Sequence, residues 1–373
     1  MPLHIQSDVI IIGAGPAACS IAASLSANGY RVLLIDRNTN RSSVGENLAS
    51  TAKPYFPILK IDEERLDNEH LPIYQMGSLW GEGLPVWKDS IYNTNGFGWH
   101  LDREIFEKEL LDNVIANGAA YFSYATISSL SVEPCTVSFS HQDKDYIAGG
   151  RFIVDCTGRN RFLQKQLAIK TIKYDTIIAA NAYVNDVNFS DTIIEATENG
   201  WWYSASIPGS KKIISYYTNS KSEYLKANRG PQSFLDLFNK TQFVKTKHPH
   251  LEAANLSTIT YRFANSEKSE KITGNNWLCA GDSAAAFDPI SSQGISTAIS
   301  MGITAGEAIH QKLWKGTNYH VREYESEYDE LFSNYLVKRQ QLYSMVKSFP
   351  ESHFWLSNSF HPSTINHKTL NIK

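Results

Sequence analysis

The chain has 373 residues, enough for about two domains at roughly 100–200 residues each and too few for three full nucleotide-binding domains. Apolar residues make up 42% and charged residues 20%, which excludes a disordered chain and a coiled coil. The net charge of −3 offers no global basic footprint for nucleic acid, so no nucleic-acid partner is expected.

In chain order, Val9-Ile10-Ile11-Ile12 is a short β-branched run bounded by Gly13, the pattern of a strand buried on both faces. The alanine-rich stretch 16–28 predicts a helix ended by Gly29, and 31–36 predicts a second buried strand. Strand, turn, helix and strand within about thirty residues make a βαβ unit. Phe106, Leu110 and Val114, spaced by one helical turn, predict a helix over 103–117 stopped by Gly118. Short strands with a polar turn at 141–145 are expected over 121–154, with further strands in 171–217 and 258–263. The stretch 275–282 is a short apolar strand running into glycine, and 295–313 and 320–346 carry long helical patterns. Cys19, Cys135, Cys156 and Cys279 form no CxxC pair, so no metal is expected. No run approaches the ~18 apolar residues of a membrane span; a cytoplasmic protein with free thiols and no membrane contact is the expectation.

The turn Gly13-Ala14-Gly15-Pro16-Ala17-Ala18 reads GxGxxA between a strand and a helix. Gly13 permits the tight turn, Gly15 lets a pyrophosphate approach the helix N-terminus, and Ala18 is small enough for helix–strand packing. Asp36, about twenty residues beyond Gly15, is placed to meet a ribose hydroxyl. An acid there argues against a 2′-phosphate, an inference that the neighbouring Arg37 weakens. This turn alone does not separate FAD from NAD. A second feature does: a strand ends at Gly281-Asp282, and Pro289 leads to a helix opening at Gly294. Asp282 can accept a hydrogen bond from a sugar alcohol, and a helix N-terminus suits an electron-rich ring. Flavin presents both.

With these residues the chain resembles the FAD-dependent monooxygenases of the para-hydroxybenzoate hydroxylase type, and among them the flavin-dependent halogenase branch. The resemblance spans about residues 7 to 357 and rests on GAGPAA with Asp36, on Gly45-Glu46-Asn47-Leu48, on Trp99-His100-Leu101-Asp102-Arg103, on Asp155-Cys156-Thr157-Gly158, and on Gly281-Asp282 through Gly294-Ile295. The tail Tyr343 to Trp355 also resembles the C-terminal helix and Phe-Trp pair of halogenase-like proteins. The resemblance implies that Gly13, Gly15, Ala18, Asp36 and Arg37 serve the ADP half of FAD. It further implies that Arg103 and the Asp155–Gly158 turn approach the cofactor, that Gly281 and Asp282 meet the ribityl chain, and that Pro289, Gly294 and Ile295 border the isoalloxazine. Gly45 and Glu46 resemble the glycine-glutamate loop on the substrate side. Arg103 as a surface ion-pair partner and Glu46 as a solvated loop acid remain open alternatives.

The implied architecture is a mixed α/β (α+β) fold: a Rossmann-like FAD-binding domain with an interleaved β-sheet substrate domain and C-terminal helices. The expected division is 1–73, 98–166 and 268–330 for the FAD-binding domain, 74–97 and 167–267 for the substrate domain, and 331–373 for a C-terminal helical segment. Halogenases carry a WxWxIP motif, and the equivalent stretch from Trp201 to Pro208 keeps Ile-Pro but has Tyr203 and Ala205 at the tryptophan positions. The lysine that handles hypohalous acid is also missing from 73–80; Lys53 and Lys60 lie nearby in a different context. These departures argue for direct oxygen transfer from a flavin C4a-hydroperoxide rather than halogenation. Among non-halogenating members the chain looks most like the flavoproteins that modify a precursor tryptophan so that cysteine tryptophylquinone can form. The implied partner is a precursor amino-acid oxidase of the lysine or glycine oxidase type, or an amine dehydrogenase. Electrons are expected from NAD(P)H or a partner flavin reductase, because no second glycine-rich turn follows a strand elsewhere. Glu46 and His100 are the candidate proton-handling residues, and Trp201, Trp202 and Tyr203 the candidate pocket lining. The alternatives on the same fold are a small-molecule aromatic hydroxylase or reductase, a halogenase, and a non-enzymatic carrier.

Overall fold

The computed structural model describes residues 1–37, 46–185, 192–226 and 229–359. At its centre is a five-stranded parallel sheet in the order Trp277–Cys279, Phe152–Asp155, Val9–Ile12, Val32–Ile35 and Ala120–Phe122. The β-branched runs form its middle because both faces are covered, so no polar alternation is needed. The helices Pro16–Ala27 and Gly294–Lys315 pack against each other at backbone distance. A Cβ on Gly302 would stand 2.7 Å from Ser20 Cβ, and one on Gly306 2.6 Å from Ser24 Cβ, so only glycine allows this approach. Strands Leu3–Gln6, Lys144–Gly149, Cys135–His141 and Thr126–Val132 form a four-stranded sheet alongside, its hairpin turn falling at Gln142 and Asp143 as expected for 141–145.

The second large layer is a seven-stranded sheet, ordered Thr260–Phe263, Ile177–Asn185, Lys211–Asn219, Gly200–Ile207, Thr192–Thr197, Gln75–Leu79 and Val86–Asp89. Its middle strands are buried on both faces. Trp202, Ile214, Tyr216 and Ala180 pack under the helix Pro231–Phe238, while Trp201, Tyr203, Ile213, Tyr217 and Ala179 form the other face with Tyr343, Phe354 and Trp355 of the C-terminal helices. Period-two alternation in a strand assigns neighbouring side chains to opposite faces. The helix Tyr319–Ser344 buries Val321, Tyr324, Tyr328, Phe332, Arg339 and Tyr343 along one stripe, and it runs unbroken through residue 330. The mixed α/β architecture with a Rossmann-like layer is as the sequence leads one to expect. No helix among the described residues is long and apolar enough to cross a membrane.

Candidate functional site

The dinucleotide turn is built by the strand Val9–Ile12 delivering Gly13 to the N-terminus of the helix Pro16–Ala27. Gly13 has φ +104°, and a Cβ there would overlap the Cys156 carbonyl. Gly15 is the residue before the helix, with open space where its Cβ would be. A cavity of about 1130 Å³ runs from this turn past Ile35, Asp36, Arg37, Tyr121, Tyr124 and Ala125. A second cavity of about 540 Å³ runs the other way, past Arg103, Gly158, Gly281, Asp282, Pro289, Gly294 and Ile295. Gly15, Glu107, Cys156 and Thr157 line both, so the two meet at the helix N-terminus. An elongated trough results, with Asp36 at one end, the N-terminus of the helix Pro16–Ala27 at the bend, and a chamber walled in part by Trp201, Tyr203 and Tyr217 at the other end. Its residues fit FAD: a helix N-terminus suits a pyrophosphate, and an acid at a strand end suits a ribose hydroxyl.

Most of the residues expected to hold the cofactor therefore converge: Gly13, Gly15, Asp36, Arg37, Arg103, Gly158, Gly281, Asp282, Pro289, Gly294 and Ile295 all line one cavity or the other. Gly45 lies outside the described residues. Ala18 is fully buried and serves helix packing, as its small size suggested. Arg103 opens the helix Arg103–Ala116, which Asp102 caps through the N–H groups of Glu104 and Ile105 (3.0 and 3.1 Å), and it pairs with Glu107 one turn on. Asp282 pairs with Arg159 Nε at 3.5 Å.

Asp155 is a correction. Its carboxylate is fully buried and lines neither cavity. It accepts from Thr157 N–H (2.8 Å), Thr157 Oγ1 (2.7 Å) and Leu163 N–H (2.7 Å). Burial pushes the carboxyl up and these hydrogen bonds oppose that shift. Asp155 positions the Cys156–Gly158 turn, and Cys156, Thr157 and Gly158 are the residues of it that face the trough.

The chamber's far wall is the seven-stranded sheet. One row across it reads Trp201, Tyr217, Ala179 and Arg262, and the next reads Tyr203, Ser215, Asn181 and Thr260. Trp201 stacks on Tyr217 with centroids 3.8 Å apart. Trp201, Tyr203 and Tyr217 line the cavity. Trp202 does not, and this corrects its placement in the pocket: alternation turns it to the opposite face, where it packs against Tyr216, Phe234 and Phe238. Glu46 is buried in the chamber and accepts from the Tyr183 hydroxyl at 3.5 Å. Burial first and the Glu46 charge second push the hydroxyls of Tyr183, Tyr203 and Tyr217 up, so all three remain protonated donors. The resulting geometry is one carboxylate near three phenols, Tyr217, Tyr203 and Tyr183, that stand in successive rows of the sheet.

His100 is the other proton-handling candidate, and the structure does not bring it to the chamber. It is buried, lines neither cavity, and shares a 2.6 Å hydrogen bond with Thr192 through Nε2. Burial lowers its imidazole to about 4, so it stays neutral at physiological pH.

Sequence reasoning missed the polar group behind the chamber. Asp288, wholly buried, accepts from Arg339 Nε (2.8 Å), the Tyr343 hydroxyl (2.7 Å) and Ile290 N–H (3.0 Å). Arg339 also reaches Asp175 at 3.2 Å and Asn358 at 2.8 Å, and Trp201 Nε1 donates to the Tyr343 oxygen at 2.9 Å. The loop that carries Pro289 is thereby tied both to the C-terminal helix and to the sheet. Its signal in the sequence is an arginine on the apolar stripe of the helix, between Phe332 and Tyr343, where a cation requires a buried anion.

With that geometry in view, the likeness to known proteins is specific. Residues 82–369 match the family model described as tryptophan halogenase. The chain belongs to that family. Residues 11–52 match a model described as an NAD(P)-binding Rossmann-like domain. LodB of Marinomonas mediterranea, named as an FAD-dependent oxidoreductase, is 24% identical over 364 residues, 93% of this chain and 95% of the relative. Among solved structures, CmlS, a flavin-dependent halogenase, superposes with a TM-score of 0.85 at 18% identity over 96% of this chain and 68% of its own. QhpG, described as a peptidyl tryptophan dihydroxylase essential for tryptophylquinone cofactor biogenesis, gives 0.77 at 17% identity over 96% of this chain and 80% of its own. At such identity the two structures show the shared fold. The enzyme class expected from the sequence stands: this chain is an FAD-dependent oxidoreductase.

Proposed function

We propose that the enzyme is a monooxygenase that hydroxylates a tryptophan of a precursor protein during tryptophylquinone biogenesis. The observation that carries this reading is the lining of the chamber. Among the described residues no lysine lines it, and Tyr203 and the fully buried Ala205 stand where halogenases have tryptophans. Lys53, the nearest candidate by sequence, sits over the Phe97 and Trp99 rings and pairs with Glu63 at 3.0 Å. The likeness to QhpG, a peptidyl tryptophan dihydroxylase, supports the substrate class.

In this reading Gly13, Gly15, Asp36 and Arg37 hold the ADP half of FAD, and Arg103, Gly158, Gly281 and Asp282 hold its middle. Pro289, Gly294 and Ile295 flank the flavin. When bound and reduced, FAD supplies an electron pair and activates dioxygen; one oxygen atom enters the indole as hydroxyl and the other leaves as water. The chain's own part is orientation, water exclusion and proton handling. Trp201, Tyr203 and Tyr217 line the chamber and would give an indole aromatic contact. Glu46, which accepts from the Tyr183 hydroxyl, would take the proton released when the ring rearomatises. The residues 74–97 and 167–267 would form the substrate domain, and electrons would come from NAD(P)H or a partner reductase in the cytoplasm.

Halogenation is the second reading, favoured by the family match and by the likeness to CmlS. Incubating the FAD-loaded enzyme with reductant, air, bromide and a precursor amino-acid oxidase or amine dehydrogenase separates the two. Mass spectrometry is expected to find added oxygen on one precursor tryptophan. Bromine on that residue, or oxidation of free indole with the precursor untouched, overturns the proposal.

A further inference from the structure

The seven-stranded sheet ends at Thr260–Phe263, which pairs on one side only, with Ile177–Asn185. A hydrogen bond from Ala264 N–H to the Ile177 carbonyl (3.0 Å) sets the phase of that ladder. Thr260 and Arg262 therefore direct their backbone polar groups at the neighbouring strand, and Tyr261 and Phe263 direct theirs outward. The Tyr261 carbonyl accepts Arg262 Nη1 at 3.0 Å; the remaining outward groups pair with no strand among the described residues. Proteins usually blunt such an edge. Here it carries Phe263, 68% exposed, at the mouth of the chamber, with Arg262 lining the same mouth.

Lys173 Nζ lies 5.7 Å from the Phe263 ring centroid. Among the described residues neither Lys173 nor Arg262 forms an ion pair, so the edge presents an apolar ring between two uncompensated cations. The sheet's other edge, Val86–Asp89, also exposes a ring, Trp87, and is no rival, because its residues line neither cavity. Register matters as much as charge. Arg262 stands in one row with Ala179, Tyr217 and Trp201 on the chamber face. A strand added about 4.8 Å beyond it would continue that face, with every second side chain directed toward the chamber.

We infer that Thr260–Phe263 is the docking edge for the protein substrate: an acidic, extended segment adds to it as a further strand and directs its tryptophan into the chamber. This rests on the protein-substrate reading above. It explains how a side chain still attached to a polypeptide reaches a site walled by the sheet, since main-chain hydrogen bonds hold the segment while alternate side chains point inward.

The test uses the FAD-loaded enzyme and fluorescein-labelled twelve-residue peptides (roughly the length a strand addition occupies with its flanks), each with a central tryptophan in a threonine- and valine-rich segment. One peptide carries aspartates at its flanks, a second lysines, and a third the aspartates with alternate backbone nitrogens methylated. The acidic peptide is expected to bind about 10-fold more tightly than the basic one in low salt, and methylation to weaken it about 10-fold. Lys173→Glu combined with Arg262→Glu should reverse the charge preference, with the flavin absorbance of the variant confirming its fold. Lys173→Glu alone, outside the chamber, should reduce the preference without changing oxidation of a free indole. Equal binding of all peptides, no binding of any, or a preference untouched by the charge swap overturns the docking edge. A precursor that is still oxidised in that event leaves the substrate reading standing and removes only the edge.

Discussion

Replacing Arg339 by methionine probes the group that ties the loop carrying Pro289 to the sheet. The guanidinium lies between Asp288 at 2.8 Å and Asp175 at 3.2 Å, with all three side chains buried. Removing the cation strands two carboxylates away from water, a change that costs about 3–5 kcal/mol. Unfolding entropy for 373 residues is about 0.8 kcal/mol/K near 60 °C, so the melting temperature should fall by about 4–6 °C. The loss should also depend on pH. Burial raises the Asp288 carboxyl in the folded protein and Arg339 restrains that rise; without Arg339 it goes further up. The folded variant then keeps a proton that the unfolded chain releases near its ordinary value of about 3.9. Stability is therefore best preserved below that value, and the deficit against the unmodified protein widens as pH rises toward the raised folded value. Urea unfolding followed by tryptophan fluorescence at about pH 5 and about pH 8 measures both effects, and adding Asp288→Asn to the variant should recover part of the loss. A deficit below about 1 kcal/mol, or one equal at both pH values, would refute the reasoning.

Asp282→Ala should weaken FAD retention while the fold persists; unchanged flavin content after dialysis would remove Asp282 from the cofactor site. Glu46→Gln is expected to keep its flavin spectrum and to lose turnover on the order of 10²-fold, and a rate within a factor of about two of the parent, well short of a general-base effect, would exclude Glu46 as the proton acceptor. Burial holds His100 at about 4 in the fold against about 6.5 in the unfolded chain. Its contribution is therefore intact above about 6.5 and declines by about 3 kcal/mol as pH falls toward 4; His100→Gln should flatten that part of the stability profile, and an unaltered slope would contradict its burial as a neutral ring. Trp202→Ala should destabilise the protein by about 3–5 kcal/mol, whereas Trp201→Phe should change substrate oxidation far more than the unfolding midpoint. Opposite results would mean that the two faces of the strand are reversed.

Local pattern carried much of this protein. The strand Val9–Ile12, the turn at Gly13 and Gly15, and Asp36 were legible because a dinucleotide turn is formed by residues close in sequence, with φ, helix start and acid all set locally. Gly281, Asp282 and Gly294, also close in sequence, come together in the lining of the chamber. The limits of local reading are equally specific. Trp201 and Trp202 are neighbours of the same type, and only the position of the C-terminal helices decides which of them faces the chamber. Asp155 stands beside residues that line the trough, yet its carboxylate turns inward because the turn's own N–H groups need an acceptor. His100 has the chemistry of a proton carrier and a burial that denies it that role.

The Asp288–Arg339–Asp175 group joins a loop, a helix and the approach to a strand that are far apart in the chain, and no spacing rule connects them. The length that excluded a third nucleotide domain thus left room for one dinucleotide trough, which the sequence marked by itself. The wall facing that trough, its three phenols around Glu46 and its open edge at Phe263 were decided only by tertiary structure, because they arise where the seven-stranded sheet is laid against the parallel one.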